Sequence, residues 1–200
     1  TQFVSALLMI APFMQQPLTL IAEHLNRQAY IDITCQMMKS FGVEVDVRND
    51  QYHVPLSQAY HAREYAIEPD LSTASYFFAA AAVTEGNITV RGVNRQHCLQ
   101  GDIRFLDVLE QMGCQVVAHE HSVTVHGSAT LRGIEVDMQD FSDPFLTLAA
   151  IAPYADSPTL IKGLAHTRLQ ESDRVTAIAT ELTKLGVRVE TGPDWVRIFP

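Results

Sequence analysis

The chain has 200 residues, of which 47% are hydrophobic and 18% are charged, so it is globular rather than disordered. This length is enough for one large or two small hydrophobic cores. The formal net charge of −9 argues against nucleic acid or an anionic membrane surface as a main partner. An anionic ligand would therefore need a local cluster of cations.

The cysteines Cys35, Cys98 and Cys114 are odd in number and far apart, with no Cys-x-x-Cys pair. They predict buried thiols in a reducing cytosol rather than disulfides or a metal site. The apolar stretch 3–13 lacks the basic residues and cleavage site of a signal peptide and is too short to span a membrane. We therefore expect a cytoplasmic protein without membrane contact, and we expect both ends of the chain to continue in something longer.

In chain order, the predicted elements repeat three times with a period of roughly 70 residues. Each repeat has an apolar helix, a strand, an amphipathic helix, a glycine and a further strand. The glycines Gly42, Gly113 and Gly186 stand where a helix end needs a left-handed backbone. The predicted helices are 5–13, 31–41, 75–83, 102–112, 145–152 and 173–185, and the predicted strands are 18–22, 43–47, 87–91, 114–118, 122–126, 159–162, 187–190 and 194–198.

Additional strands at 65–68 and 134–137 precede the second and third repeats and complete a β-α-β-α-β-β unit. The first helix of each unit is apolar almost all round, which predicts that it is buried. The sequence thus predicts an α/β (α+β) fold of repeated β-α-β-α-β-β units. Polar loop residues at 61–68 mark the best domain boundary, which separates 1–67 from 68–200.

The most informative motif is Gln170-Glu-Ser-Asp-Arg174, at the start of a predicted helix. A helix start offers N–H groups and a positive dipole end that suit an anion, and Arg174 adds a bidentate fork for phosphate or carboxylate. Glu171 adds a group that can carry a proton. The alternative is structural, because Ser172 could be an ordinary N-cap and Arg174 could pair with Glu171 or Asp173 on a solvated face.

Polar residues also stand at other helix starts. Asp143, followed by Pro144 and an apolar helix, is either an N-cap with proline at the first helical position or a functional carboxylate. Gln2 stands at the start of the first apolar helix, and Tyr30 lies just before the second helix. If the units surround a pseudo-symmetry axis, several helix starts could point into one cleft and bind an anion.

Motifs for nucleotides and metals are missing from the sequence. Glycine-rich phosphate loops, a dinucleotide-binding GxGxxG, Walker motifs and a GxSxG elbow are absent. His119, His121 and His126 lie in a predicted turn and on alternate strand positions without a fourth ligand at suitable spacing. A solvated hairpin explains these histidines, so we predict no metal site.

A family resemblance runs in order along essentially the whole chain. The chain resembles the 5-enolpyruvylshikimate-3-phosphate synthase family, whose specific Lys-Glu-Ser/Thr-Asp-Arg signature is similar to Gln170–Arg174. That family also uses the β-α-β-α-β-β unit. The segments that carry the resemblance are Thr1-Gln2-Phe3, Tyr30–Thr34, Ser72–Phe77, Gln100–Arg104, Asp137-Met138 with Asp143, and Gln170–Arg174.

The resemblance implies an enolpyruvyl transferase-like inside-out α/β barrel with six units in two domains and an active site in the cleft between them. On this basis the chain holds about three of the six units. Residues 1–67 are the last unit of the first domain, and residues 68–200 are two units of the second. The family's N-terminal lysine-containing phosphate segment, its glycine-rich loop and its later Asp-His-Arg segment have no match, so we expect a middle-to-late fragment.

The implied reaction transfers the enolpyruvyl group of phosphoenolpyruvate to the 5-hydroxyl of shikimate 3-phosphate and releases phosphate, in the shikimate pathway to chorismate and aromatic amino acids. By resemblance, Asp143 binds the shikimate hydroxyls and is the base, Glu171 exchanges a proton with the methylene carbon, and Arg174 holds phosphoenolpyruvate. No cofactor, nucleic acid or membrane is implied, and the complete protein would be a monomer. The other implied substrate-binding residues are Thr1, Gln2, Arg27, Tyr30, His166 and Gln170.

The chain departs from the family pattern at several of these positions. Thr1 stands where Ser is usual and keeps the hydroxyl, Arg27 stands where Ser is usual, and His166 stands where Asn is common. Gln170 replaces the signature Lys, which should weaken anion binding and alter the proton affinity of Glu171. The alternatives are therefore a UDP-N-acetylglucosamine enolpyruvyl transferase, which the Glu-Ser-Asp-Arg segment disfavours, and a non-catalytic relative. We expect the chain alone to be inactive, because half of the cleft is absent.

Overall fold

A computed structural model describes residues 2–23 and 28–200. The chain divides into two compact units, Thr1–Ile67 and Glu68–Pro200. The described helices are α1 Gln2–Ile10, α2 Gln28–Ser40, α3 Leu71–Val83, α4 Phe105–Gln111, α5 Phe145–Ile151 and α6 Arg174–Lys184. The described strands are β1 Leu18–Ile21, β2 Asp46–Arg48, β3 Gln51–Val54, β4 Asn87–Arg91, β5 Gln115–His119, β6 Ser122–His126, β7 Glu135–Asp137, β8 Thr159–Lys162, β9 Val189–Thr191 and β10 Val196–Ile198.

The unit Thr1–Ile67 is an antiparallel sheet of order β1-β3-β2 with helices α1 and α2. Its core includes Leu8, Ile31 and Tyr52, which are fully buried. The prediction that the first apolar helix is buried is wrong for α1 in this structure. Leu8 is its one buried residue, whereas 85% of Phe3 is exposed, because this unit offers α1 few neighbours besides α2.

The unit Glu68–Pro200 contains two sheets, of orders β4-β6-β5 and β7-β8-β10-β9. In the second sheet β7 and β8 are parallel and the other pairs are antiparallel, as a β-α-β crossover through α5 requires. Helices α3 and α5 contact each other, and the buried hydroxyls of Ser75 and Thr147 are hydrogen-bonded at 2.9 Å. Phe145 and Leu148 of α5 are fully buried in the core of this unit.

The predicted α/β class is confirmed, and residues 135–198 show the whole β-α-β-α-β-β order. All six predicted helices are present within a few residues of their expected bounds, and the strands 87–91, 122–126 and 159–162 match the prediction residue by residue. Gly42, Gly113 and Gly186 each have a positive φ, of 96°, 105° and 85°. These glycines end their helices because only glycine adopts that backbone at little cost.

The strand predicted at 65–68 is not formed. Pro69 lacks an N–H and follows this stretch directly, which disfavours a hydrogen-bonded ladder there. The side-chain amide of Gln100 holds the following residues instead: it donates to the Pro69 carbonyl at 2.8 Å and accepts from the Leu71 N–H at 2.9 Å. The chain thus enters α3 through side-chain contacts and not through a sheet.

The longest described helices, α2 and α3, have 13 residues each. A membrane-spanning helix needs about 20 predominantly apolar residues. Within the ranges that the structure describes, no helix is long and apolar enough to cross a membrane.

The cysteines are all free, and each is at least half-buried. Burial raises the pKa of Cys35 and of Cys98 to about 11, and it also raises the pKa of Cys114. Because the thiolate is the reactive form, these side chains are weak nucleophiles at neutral pH.

Candidate functional site

The structure distributes the predicted site residues over both units. Asp143, His166, Gln170, Glu171 and Arg174 belong to the unit Glu68–Pro200. In the other unit, Gln2 is exposed at the first position of α1, and Tyr30 is half-buried in the first turn of α2, not before it as predicted. Thr1 and Arg27 lie outside the described residues.

The 170–174 motif follows a 3-10 helix, Ala165–Leu169, and ends in the first residue of α6. Asp173 is the N-cap, since its carboxylate accepts from the Thr176 N–H at 3.0 Å and from the Thr176 hydroxyl at 2.8 Å. The alternative of a Ser172 cap is therefore wrong, and Ser172 and Glu171 lie exposed ahead of the helix. Because Asp173 does the capping, Glu171 is not needed for it.

Arg174 lies between two carboxylates. Its Nη1 is 3.6 Å from Asp143 Oδ1, and its Nη2 is 3.2 Å from Glu171 Oε2. Charge-assisted N–H···O bonds are usually about 2.7–2.9 Å, so both contacts are loose. Arg174 and Asp143 are about three-quarters buried, whereas Glu171 is largely exposed. The tertiary fold thus brings the two predicted catalytic carboxylates to one guanidinium.

Asp143 lies in the turn before α5. The helix begins at Phe145, so Pro144 occupies the cap position, one residue later than predicted, and no side-chain cap bond forms there. The interpretation of Asp143 as the N-cap is therefore wrong. Its carboxylate approaches Arg174 instead, which is the position that a functional carboxylate would take.

His166 contacts the same turn from the 3-10 helix. Its Nε2 is hydrogen-bonded to the hydroxyl of Ser142 at 2.8 Å, and Ser142 is buried beside Asp143 in the chain. Gln170 places its Oε1 in a buried position with no hydrogen-bond partner among the described residues. An unpartnered buried acceptor is costly, and a ligand donor could satisfy it.

The pKa of Glu171 is lowered below its ordinary value, first by its own backbone N–H and then by the hydrogen bond and charge of Arg174. Glu171 is therefore a carboxylate at neutral pH and is ready to accept a proton. To donate one it needs a higher pKa. Turning Arg174 from Glu171 to an anionic ligand raises the pKa of Glu171 in that direction, while the larger lowering by the backbone N–H remains.

The three predicted hairpin histidines lie along β5, β6 and the turn between them. His126 Nδ1 is 2.6 Å from Asn87 Oδ1, and His121 lies 3.7 Å from Glu120 in the exposed turn. In the part of the chain that the structure describes, no group of three His, Cys, Asp or Glu side chains is arranged to hold a metal ion.

A family model described as EPSP synthase (3-phosphoshikimate 1-carboxyvinyltransferase) matches residues 1–200. The chain belongs to the EPSP synthase family. It is 52% identical to the 3-phosphoshikimate 1-carboxyvinyltransferase of Trichormus variabilis over 202 residues. It is 44% and 41% identical to proteins of the same name from Methanoculleus marisnigri and Yersinia pestis, each over 203 residues. These alignments cover all of this chain but 47–48% of each relative, so the chain spans about half the length of the curated relatives it matches.

Solved structures support the EPSP synthase fold. An EPSP synthase from Acinetobacter baumannii superposes with a TM-score of 0.80 at 23% identity and covers all of this chain and 46% of that one. The enolpyruvyl transferase NikO from Streptomyces tendae superposes with a TM-score of 0.72 at 20% identity and covers 96% of this chain and 44% of that one. The fold and family that the sequence predicted are confirmed.

Two side chains that shape the site in this EPSP synthase family member were not predicted. Ser142 is hydrogen-bonded to His166, and Arg168 pairs with Asp173 at 2.8 Å. Each is adjacent or nearly adjacent in sequence to a predicted residue, and that proximity was the available signal. The partner of Arg168 could not be predicted, because the sequence does not show which carboxylate this arginine reaches.

Proposed function

We propose that the full-length protein containing this chain transfers the enolpyruvyl group of phosphoenolpyruvate to the 5-hydroxyl of shikimate 3-phosphate. Membership of the EPSP synthase family supports this, as do relatives at 41–52% identity that are named 3-phosphoshikimate 1-carboxyvinyltransferase. The observation that carries the proposal is Arg174 between Asp143 and Glu171. The activity is assigned to the longer protein because this chain spans about half of its relatives.

In the first step the hydroxyl adds across the double bond of phosphoenolpyruvate. Asp143 takes the hydroxyl proton as the new C–O bond forms at the central carbon. Glu171, after taking up a proton from water, delivers that proton to the methylene carbon. Arg174 binds the anionic donor, whose charge replaces that of Glu171 at the guanidinium. This exchange raises the proton affinity of Glu171 at the stage when it must act as an acid.

In the second step the tetrahedral adduct collapses. The bond between the central carbon and the phosphate oxygen breaks, phosphate leaves, and a proton returns from the methyl group to Glu171 as the double bond re-forms. Glu171 thereby serves as acid and then as base. Its exposed position in this chain leaves it accessible to the substrate carbon.

The remaining contacts belong to the same proposal. His166 and Gln170 bind substrate beside Asp143, and Gln170 offers an amide oxygen that accepts a hydrogen bond where the family's usual lysine can only donate one. Thr1, Gln2, Arg27 and Tyr30 bind the shikimate phosphate from the first domain. The units Thr1–Ile67 and Glu68–Pro200 then belong to the first and second domains of a cytoplasmic, cofactor-independent monomer.

The proposal is tested by measuring phosphate release from phosphoenolpyruvate with the full-length protein. We expect phosphate release when the acceptor is shikimate 3-phosphate and none when the acceptor is UDP-N-acetylglucosamine. Release only with UDP-N-acetylglucosamine would assign the sister activity, and no release with either acceptor would favour a non-catalytic relative.

The role of Glu171 gives the first prediction. Glu171→Gln removes the proton carrier but keeps the size of the side chain, so kcat should fall by about 100-fold or more. The dissociation constant of shikimate 3-phosphate, measured by calorimetry, should stay nearly unchanged. The matched control is Glu181→Gln in α6, the helix that follows Glu171, where the carboxylate pairs with exposed Lys184 at 2.7 Å. Turnover of Glu171→Gln equal to that of the control would remove Glu171 from the mechanism.

A further inference from the structure

Arg168 makes an unusually complete set of contacts for a surface arginine. Its Nε donates to the Pro193 carbonyl at 2.9 Å and its Nη2 to the Gly192 carbonyl at 2.6 Å. Its Nη1 donates to Asp173 Oδ2 at 2.8 Å and to the Thr176 hydroxyl at 3.2 Å. Only 23% of the side chain is exposed. The guanidinium therefore donates hydrogen bonds from both of its edges: Nε and Nη2 to backbone carbonyls, and Nη1 to side chains at the start of α6.

One edge of Arg168 holds the start of α6. Asp173 caps this helix, and its pKa is lowered first by the Thr176 N–H, then by the Thr176 hydroxyl, and further by Arg168. A cap that is itself held in place fixes the direction of the first helical turn. Arg174 is the first residue of that turn, so its position depends on the cap.

The other edge of Arg168 holds the turn between β9 and β10. That turn is closed by a hydrogen bond from the Gly192 N–H to the Trp195 carbonyl at 3.0 Å, and the Asp194 carbonyl accepts from the Leu164 N–H at 2.8 Å. A Cβ atom on Gly192 would collide with the indole of Trp195, which packs directly against this glycine. The two carbonyls that face Arg168 are thus a firm anchor.

Arg168, which precedes the motif, and Arg174, which ends it, have different partners. Arg168 takes Asp173 at 2.8 Å, while Arg174 has the looser contacts to Asp143 and Glu171 at 3.6 and 3.2 Å. Asp173 is thus already paired with Arg168, and Arg174 contacts the other two carboxylates.

We propose that Arg168 is a positioning residue for the reaction. It ties the cap of α6 to the β9–β10 turn and thereby sets where Arg174 and Glu171 stand when the anionic donor binds. This inference rests on the proposed function, because the site it positions is the one assigned there.

The test uses the full-length protein with Arg168→Gln and Arg168→Lys. Arg168→Gln should raise the KM for phosphoenolpyruvate about ten- to a hundredfold, since small misplacements of binding groups have effects of this size. Arg168→Lys should recover part of the loss, because an ammonium keeps the pairing with Asp173 but lacks the fork. The matched control is Arg95→Gln, which removes a similarly buried arginine that pairs with Asp107 and Glu110. It should lower the melting temperature and leave KM unchanged.

The proposal is overturned if folded Arg168→Gln keeps the wild-type KM, or if Arg95→Gln raises KM equally. Amide hydrogen exchange gives an independent readout: exchange at Thr176 and Ala177 should be faster in Arg168→Gln than in Arg95→Gln. If wild type transfers no enolpyruvyl group, the proposed function fails, and the exchange rates alone decide whether Arg168 fixes the helix start. Equal rates in the two variants would overturn that as well.

Discussion

Helices α1 and α5 occupy the same place in their repeats but have opposite environments. Both are short and apolar. In α5, Phe145 and Leu148 are fully buried, whereas in α1 Leu8 alone is buried and Phe3 is mostly exposed. The difference lies in the neighbours, since α5 contacts α3 and α6 while α1 contacts α2.

Helix α5 thus packs against a helix of its own repeat and one of the preceding repeat, whereas α1 packs against α2 of its own repeat. The exposed residues Phe3, Leu7 and Ile10 follow helical spacing and form one stripe along α1. The chain spans about half the length of the curated relatives it matches. We propose that the full-length protein has the further repeats that the sequence resemblance implies for the first domain, and that those repeats cover the stripe.

The largest effect that would test this comparison comes from truncating one phenylalanine in each helix. Phe145→Ala should lower the free energy of unfolding by about 3–5 kcal/mol because it leaves a cavity in a packed core. In the 200-residue chain Phe3→Ala should cost less than about 0.5 kcal/mol, as an exposed substitution does. Urea unfolding of both variants measures this, and Phe3→Ala should cost several times more in the full-length protein. An equally small loss of stability for Phe3→Ala in the full-length protein would contradict the proposal that further repeats pack on the exposed stripe of α1.

A smaller effect should come from the hydroxyl pairs that join neighbouring helices. Ser75 and Thr147 are both buried and join α3 to α5, whereas Ser5 and Thr34, at 2.8 Å, are half-buried and join α1 to α2. Thr147→Val should cost about 1 kcal/mol, since the loss of a buried hydrogen bond is less compensated by water. Thr34→Val should cost less, and double-mutant cycles with Ser75→Ala and Ser5→Ala measure each coupling. A stronger coupling for the α1–α2 pair would reverse the ranking of the two interfaces.

The smallest effect concerns the exposed start of α3. The side chain of Thr73, followed by its N–H, lowers the pKa of the capping residue Asp70. The folded pKa lies below the unfolded one, so this stabilisation is complete above the ordinary Asp value of about 3.9 and is lost as pH falls below it. Because Asn caps as well as Asp, Asp70→Asn should gain a few tenths of a kcal/mol relative to wild type between pH 5 and 3. Thermal melts of both proteins across this pH range provide the measurement. A stability difference between variant and wild type that does not change with pH would show that ionisation of Asp70 does not stabilise the start of α3.

The sequence predicted which of these side chains meet better than it predicted the helix caps beside them. The sequence predicts Asp143, Glu171 and Arg174 as residues of one site, and the fold brings these three side chains together. The predicted helix caps are each wrong by one residue, because the N-cap residues of α5 and α6 are Pro144 and Asp173. A cap depends on the dihedral angles of one residue, which composition and spacing do not specify.

By itself the sequence determined the order of the six helices and of most strands, and the glycines that end three of the helices, whereas the strand β3 was not predicted. These features follow from periodicity and from the backbone demands of single residues, which act over a few positions. Only the tertiary structure decided that α5 is buried and α1 is not, that residues 65–68 form no strand, and that Arg168 takes Asp173 while Arg174 faces Asp143. The burial of α5 and the contact of Arg174 with Asp143 depend on residues that are distant in the chain, and a local sequence pattern does not show which distant residues will meet.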